Sequence, residues 1–302
     1  GALIISEGGV RRTSTLLGPT MLLQGHRAAV HSIKFNPDGN TLATASFDKT
    51  INLWNVRGEN ENYMMLEGHK NAVLDIDYSP DGLVLASCSA DTVVGLWDVE
   101  IGKRIRTWRG HTNHVNAVSV SENGGEEGHL VATGSNDGTT KLWDSRSRKC
   151  CQTLPWKFQI LSVAFNRQGD QVFSGSLDNT IQCWDLRKGK VHLALKGHRD
   201  SVTGLRLSPD GNFLLSNAAD NSLKMWDVRP FFAGEDRCVR TFKGHRHTME
   251  KMLLRCAWSA DGKMVTGGSG DSFVYVWNAA TAELTYKLPG HSGSVNEVSF
   301  HP

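Results

Sequence analysis

No stretch of this sequence reaches the ~18 consecutive apolar residues that a membrane helix requires, so no membrane-spanning helix and no membrane partner are expected. An excess of one charge is lacking too. Against 33 Lys and Arg stand 31 Asp and Glu, a formal net charge of +2. Charge balance alone therefore carries no footprint for nucleic acid or an anionic surface. The six cysteines, Cys88, Cys150, Cys151, Cys183, Cys238 and Cys256, include no C-x-x-C pair and no metal-ligating quartet. They read as reduced thiols of an intracellular protein. There is no glycine-rich phosphate loop with a following lysine and no H-E-x-x-H. Gly267-Gly268-Ser269-Gly270 falls in a strand-to-turn context. No catalytic residue, cofactor, metal or small-molecule substrate is expected. Residues 1–19 lack the charged-then-apolar-then-small order of a signal peptide and read as a poorly ordered leader; residues 20–302 read as the folded unit. No segment has a convincing 3.6-residue period.

What is present is a repeat. Gly-His recurs at Gly25–His26, Gly68–His69, Gly110–His111, Gly197–His198, Gly244–His245 and Gly290–His291. Trp54, Trp97, Trp143, Trp184, Trp226 and Trp277 each follow an aspartate by six residues: Asp48, Asp91, Asp137, Asp178, Asp220 and Asp271. Two residues before those aspartates stand Ser46, Ser89, Ser135, Ser176, Ala218 and Ser269. Successive Gly-His pairs lie 42–47 residues apart, with one copy skipped, which is the period of a propeller blade. Within a repeat, Leu42–Ser46 and Thr50–Trp54 read as short strands around a turn, and Pro37-Asp38-Gly39, Pro80-Asp81-Gly82 and Pro209-Asp210-Gly211 are turn signals. A sandwich has no reason to repeat its sequence; an all-β propeller does.

The repeat has departures. In the fourth copy Trp156 stands where histidine is expected, and in the fifth Ala218 replaces serine, so these two blades are expected to lack a complete hydrogen-bond network. Four extra residues fall within Glu122–His129 and four within Arg246–Leu253. Both read first as tolerated loop growth, and the second, with Met249, Lys251 and Met252, equally as a contact site. Ser294–Phe300 fits the innermost strand of a seventh blade and Thr20–Leu23 its outer strand, so that the two chain ends share one blade and remove exposed edges. Two strands of that blade are missing from this chain, and the parent protein is expected to continue for about one more blade's remainder.

Gly-His, the turn aspartate and Trp-Asp (Trp97–Asp98, Trp143–Asp144, Trp184–Asp185, Trp226–Asp227) resemble the WD40 family over roughly residues 21–302. The resemblance implies a seven-bladed propeller, its seventh blade incomplete here. It also implies that Asp bonds His, His bonds Ser and Ser bonds Trp within a blade. That network is assigned to His26, Ser46, Asp48 and Trp54; His69, Ser89, Asp91 and Trp97; His111, Ser135, Asp137 and Trp143; and His245, Ser269, Asp271 and Trp277. A nucleophilic triad of the same residue types is excluded by recurrence: an active site needs one constellation, and this set repeats with its own tryptophan each time. The family's partner-binding face maps to Arg27, Phe47, Lys70, His114, Asn136, Phe158, Leu177, Arg199 and Lys251, where exposed aromatics beside basic residues suit an interface hot spot.

Some stretches go beyond the repeat consensus: Met21–His26, Ser201–Leu205, Leu214–Ala218, Trp226–Phe231, Leu253–Cys256 and the block from Phe273–Trp277 to Gly290–His291. They resemble the WD40 subunit of the U5 small nuclear ribonucleoprotein. This implies a nuclear, non-catalytic scaffold that docks the core scaffold protein of the spliceosome, with a helicase and a GTPase nearby and RNA met only indirectly. A second reading rests on Trp-Asp-x-Arg at Trp143–Arg146, Trp184–Arg187 and Trp226–Arg229, which resembles the adaptor-binding box of substrate receptors of cullin-type ubiquitin ligases. Direct RNA binding is disfavoured by the near-neutral charge.

Overall fold

The computed structural model describes residues 21–58, 61–123, 128–232, 234, 236–248 and 252–302. The expected leader, 1–19, and Lys251 lie outside the described residues. The described residues form six four-stranded antiparallel sheets, each pairing its strands in sequence order. These are the blades of a β-propeller, at 30–66, 73–109, 115–155, 160–196, 202–243 and 256–288. The innermost strands, Val30–Phe35, Val73–Tyr78, Val115–Val120, Ile160–Phe165, Val202–Leu207 and Cys256–Trp258, stand around the axis.

The turns explain why each blade folds locally. Between the second and third strands, the aspartate carboxylate accepts the backbone N–H two residues on, as in Thr50 N–H to Asp48 (3.0 Å) and Thr139 N–H to Asp137 (2.9 Å). The middle residue of this Asx turn lies in the left-handed region, and the same place recurs at Lys49, Thr92, Gly138, Asn179, Asn221 and Ser272. Between the first and second strands, Gly39, Gly82 and Gly211 supply positive φ (70°, 72° and 74°) in the Pro-Asp-Gly turns.

The blades pack face to face through apolar side chains that are buried on both sides. Trp97, Trp108, Trp143, Trp226, Trp277, Phe173 and Phe242 are the largest fully buried ones. At ~25 cal/mol per Å² removed from water, such residues dominate the cohesion between sheets.

The first and sixth blades do not touch through a sheet. The segment 294–300 lies between them with a single bridge, Ser269 to Val295. The expected strand at Ser294–Phe300 is thus one bridge rather than a ladder, because no described strand stands outside it to complete a sheet. The expected strand at Thr20–Leu23 is not formed at 21–23, and Thr20 lies outside the described residues. Met21 and Leu22 are exposed there (57% and 80%).

Candidate functional site

Each blade is tied internally by a chain of hydrogen bonds. In blade three His111 Nδ1 lies 2.8 Å from Asp137 Oδ2 and His111 Nε2 lies 2.8 Å from Thr133 Oγ1, which also accepts the Trp143 indole N–H at 2.8 Å. With the aspartate ionised, Nδ1 must carry the proton, so Nε2 accepts from the threonine hydroxyl and the hydroxyl oxygen accepts from the indole. The same chain runs through His26, Thr44, Asp48 and Trp54, through His69, Ser87, Asp91 and Trp97, and through His198, Ser216, Asp220 and Trp226.

The hydroxyl is therefore not the expected one. Ser46, Ser89 and Ser135 sit two residues too far along. They cap the turn instead: each accepts the N–H of its aspartate at 3.1 Å, and each lies within 3.1–3.2 Å of a carbonyl of the preceding loop (Ala28, Asn71, Asn113). Register explains the shift. Trp54 pairs with Leu42, so Thr44 is its diagonal neighbour, within reach of an indole, while Ser46 lies at the strand end. Because the working hydroxyl in blade five is Ser216, Ala218 removes nothing from the chain, and blade five is complete.

Blades four and six are the atypical pair. In blade four the Trp156 indole donates to Asp178 (3.0 Å) but cannot pass the chain on, and Ser174 pairs with Gln182 and Trp184. In blade six Tyr275 stacks on Trp277 and its hydroxyl takes Asp271 at 2.6 Å. His245 loses that partner and turns to Asn217 of blade five (3.0 Å), Ser269 donates to Asp271, and Trp277 donates to the Lys243 carbonyl.

The aspartates of the four complete chains are held in their charged form. Burial opposes ionisation of Asp91, but hydrogen bonds from His69 and from the N–H groups of Lys70 and Val93 overcome it and bring its pKa to about 2. The same balance of burial against donated hydrogen bonds lowers Asp48, Asp137 and Asp220.

The loop into each blade and the turn before each third strand meet at one end of the sheet. Backbone bonds join them: Phe47 to Ala29, Ala90 to Ala72, Asn136 to His114, Leu177 to Gln159 and Ala219 to Ser201. Arg27, Lys70, His114 and Arg199 are exposed on this face. So are Phe47 (58%), Leu177 (42%) and Phe158 (40%), three apolar side chains at the turns and loops. Asn136 is half-buried and accepts from Asn116 (2.6 Å), which ties it to the frame. The opposite mouth of the axis is a cavity of about 550 Å³ lined by Phe35, Phe165, Trp258 and Phe300 among others.

Sequence reasoning missed the axis itself. Three cations, Lys34, Arg206 and Arg255, face three carboxylates, Asp75, Asp77 and Glu297. Lys34 pairs with Glu297, Arg206 with Asp77 (3.2 Å), and Arg255 with Asp75 (3.5 Å). Arg255 is buried; it donates to carbonyls of Asn116, Leu161 and Thr203, in blades three, four and five. The available signal was period-2 alternation of charge on inner strands, as in Asp75-Ile76-Asp77. In the Trp-Asp-x-Arg stretches, Arg146 and Arg229 turn back and clamp their own Asp144 and Asp227.

The pattern of the WD domain, G-beta repeat, matches residues 18–55, 60–98, 102–144, 148–185, 189–227 and 236–278. The chain is similar to the U5 small nuclear ribonucleoprotein 40 kDa protein of Homo sapiens, at 56% identity over 302 residues, covering 100% of this chain and 83% of that one. It is similar to the pre-mRNA-splicing factor cwf17 of Schizosaccharomyces pombe, at 44% over 300 residues, 99% of this chain and 87% of that one. The U5 small nuclear ribonucleoprotein 40 kDa protein of Dictyostelium discoideum is 41% identical over 307 residues, with 99% and 85% covered.

Proposed function

The chain belongs to the WD40 family of G-beta repeats and, within it, to the group of U5 small nuclear ribonucleoprotein 40 kDa proteins; from that membership we propose that it is a non-catalytic interaction scaffold of the U5 particle, acting in pre-mRNA splicing in the nucleus. The observation that carries this reading is similarity to splicing proteins along the whole of this chain, combined with the exposed apolar side chains of Phe47, Phe158 and Leu177 on one face. In blades one, two, three and five the paired histidine and aspartate are engaged in holding strands together.

Partners are proteins of the splicing assembly. We assign the exposed face that bears Arg27, Phe47, Lys70, His114, Phe158, Leu177 and Arg199 as the partner face, with the core scaffold protein as principal partner and a helicase and a GTPase as neighbours. RNA is met through them. The ligase-receptor reading is not favoured: the similar proteins are splicing proteins, and two of its three arginines, Arg146 and Arg229, are engaged with their own aspartates.

We further propose a seven-fold ring, with 294–300 in the innermost place of the seventh blade. Two register matches support it. Asp75 accepts the Val118 N–H of the next blade (3.0 Å), and Glu297 accepts the Ile33 N–H at the equivalent position (2.8 Å). Asn116 donates to the Ile160 carbonyl (2.8 Å), and Asn296 donates to the equivalent Val30 carbonyl (2.7 Å). The segment thus addresses blade one as complete blades address their neighbours.

The test is affinity purification of the tagged chain from nuclear extract. Recovery of U5 RNA with splicing proteins is expected, and a Phe47→Ser, Leu177→Ser double variant should lose the proteins and the RNA together. Recovery of a cullin and its adaptor without spliceosomal RNA would overturn the proposal.

A further inference from the structure

The cleft between blades five and six differs in charge from the rest of the partner face. The residue after the network ring is a cation in five of the six repeats, Arg27, Lys70, Lys157, Arg199 and Arg246, and all five are exposed. In blades one, two and five the ionised turn aspartate lies against the backbone N–H of that same residue, at 2.9, 2.7 and 2.8 Å. Positive and negative charge therefore alternate around the face. A nucleic-acid backbone needs an unbroken run of cations against its phosphates, and this pattern does not offer one.

At the blade five–six boundary the balance tips. A cleft of about 670 Å³ is lined by Arg199, Lys224, Lys243 and Arg246, with Asp220 as the lining carboxylate. That carboxylate is already occupied: it accepts from His198, from the Arg199 N–H, and from the N–H and hydroxyl of Ser222. Asp200 lies near the edge and accepts the Ser201 N–H. Lys224 donates to Thr241 at 3.0 Å and to the Cys238 sulfur at 3.8 Å, which engages two of its three ammonium protons. The side chains of Arg199, Lys243 and Arg246 are exposed at this one cleft, so its lining carries more positive than negative charge.

We propose that this cleft receives a clustered negative charge from a protein partner: a phosphorylated serine or threonine, or adjacent carboxylates, in an acidic segment. The proposal rests on the reading of this face as the partner surface. It also fits the near-neutral net charge of +2, since affinity is concentrated at one point rather than spread over the molecule.

Fluorescence anisotropy with the full chain tests it. The probes are a labelled peptide carrying one phosphoserine among glutamates, the same peptide with serine, and a single-stranded RNA. The phosphopeptide should bind, and less tightly as salt rises. A Lys243→Glu, Arg246→Glu variant should bind it about tenfold or more weakly. Both substituted side chains are exposed, and an unchanged tryptophan-fluorescence melt verifies the fold. A charge-matched Lys188→Glu, Lys263→Glu variant, altered at exposed turns outside the cleft lining, should bind as the parent does. If the serine peptide binds equally, carboxylates are the anion; if only the phosphopeptide binds, phosphate is. RNA binding as tight as the peptide, or unchanged peptide affinity in the Lys243, Arg246 variant, would sink the proposal. A chain that recovers its nuclear partners yet binds neither peptide refutes the cleft alone and leaves the scaffold reading standing.

Discussion

Replacing Thr133 by valine tests the hydrogen-bond chain at its centre. Valine keeps the side-chain volume and removes the hydroxyl, at a site that is fully buried (0% exposed). That hydroxyl serves two side chains, the Trp143 indole and His111 Nε2, both at 2.8 Å and both buried. Each buried polar group left without a partner costs about 1–3 kcal/mol, so Thr133→Val should cost about 2–6 kcal/mol. That is a large part of the ~5–15 kcal/mol typical of a folded domain. The control is Thr266→Val in blade six. Thr266 lies one residue before the network register, which falls on Gly267, and its hydroxyl donates to the Tyr275 carbonyl (2.7 Å) with no indole or imidazole bonded to it. The same chemical change there should cost about 0.5–1.5 kcal/mol. Urea unfolding followed by tryptophan fluorescence reads both, with the slope against denaturant unchanged so that midpoints compare directly. Equal costs, or a Thr133→Val cost below that of Thr266→Val, would refute the assignment of the hydroxyl to this position.

Two further outcomes follow from the buried charges. Arg255→Met leaves Asp75 buried without its guanidinium and should destabilise by about 3–5 kcal/mol, whereas adding Asp75→Asn removes the orphaned charge and should restore part of the loss. Simple additivity of the two single costs would rule out their coupling. Burial lowers the pKa of His245 and of His247 to about 4, with the neighbouring His247 adding to the effect on His245. Below their ordinary value near 6.5 the unfolded chain takes up protons that the folded chain refuses. The stability these groups contribute is therefore complete above about pH 6.5 and lost as pH falls towards about 4, by about 3 kcal/mol for the fully buried His245. Unfolding midpoints measured across that window should fall steeply in the parent and less in a His245→Gln, His247→Gln variant; parallel curves would contradict it.

The repeat made the architecture legible because each blade solves the same local problem with the same residues. The turn aspartate and the tryptophan six residues on could be read straight from the chain. The hydroxyl between them could not, for a physical reason: in a strand, positions i and i+2 share a face, and most repeats carry hydroxyls at both (Thr44 and Ser46, Ser87 and Ser89, Thr133 and Ser135). Blade five, with Ser216 and Ala218, and blade six, with Gly267 and Ser269, separate the two in opposite ways: blade five keeps the network hydroxyl and loses the turn cap, and blade six keeps the cap and loses the network hydroxyl. Tyr275 is the opposite case. It looks like an ordinary strand aromatic, yet its hydroxyl captures the aspartate, and with Gly267 in the register of the network hydroxyl blade six has no chain. Arg255 was hidden by the extra residues before it, which obscure its register against Asp75 and Glu297 on the other inner strands.

The network and the partner face are one construction. In blades one, two, three and five the aspartate that anchors the histidine also accepts the backbone N–H of the following residue, Arg27, Lys70, Thr112 or Arg199. Fixing that N–H inward turns the side chain outward at a set place, so the bonds that hold the blade also aim what a partner meets. Blade six breaks the rule because Tyr275 has taken Asp271, and Arg246 N–H is held by Ser269 instead (3.1 Å). The loop it begins is therefore anchored differently from its counterparts, and it borders the cleft where cations gather. The departure from the repeat and the departure from alternating charge thus fall at the same boundary, as expected if drift in the internal network freed this edge of the ring to specialise in contact.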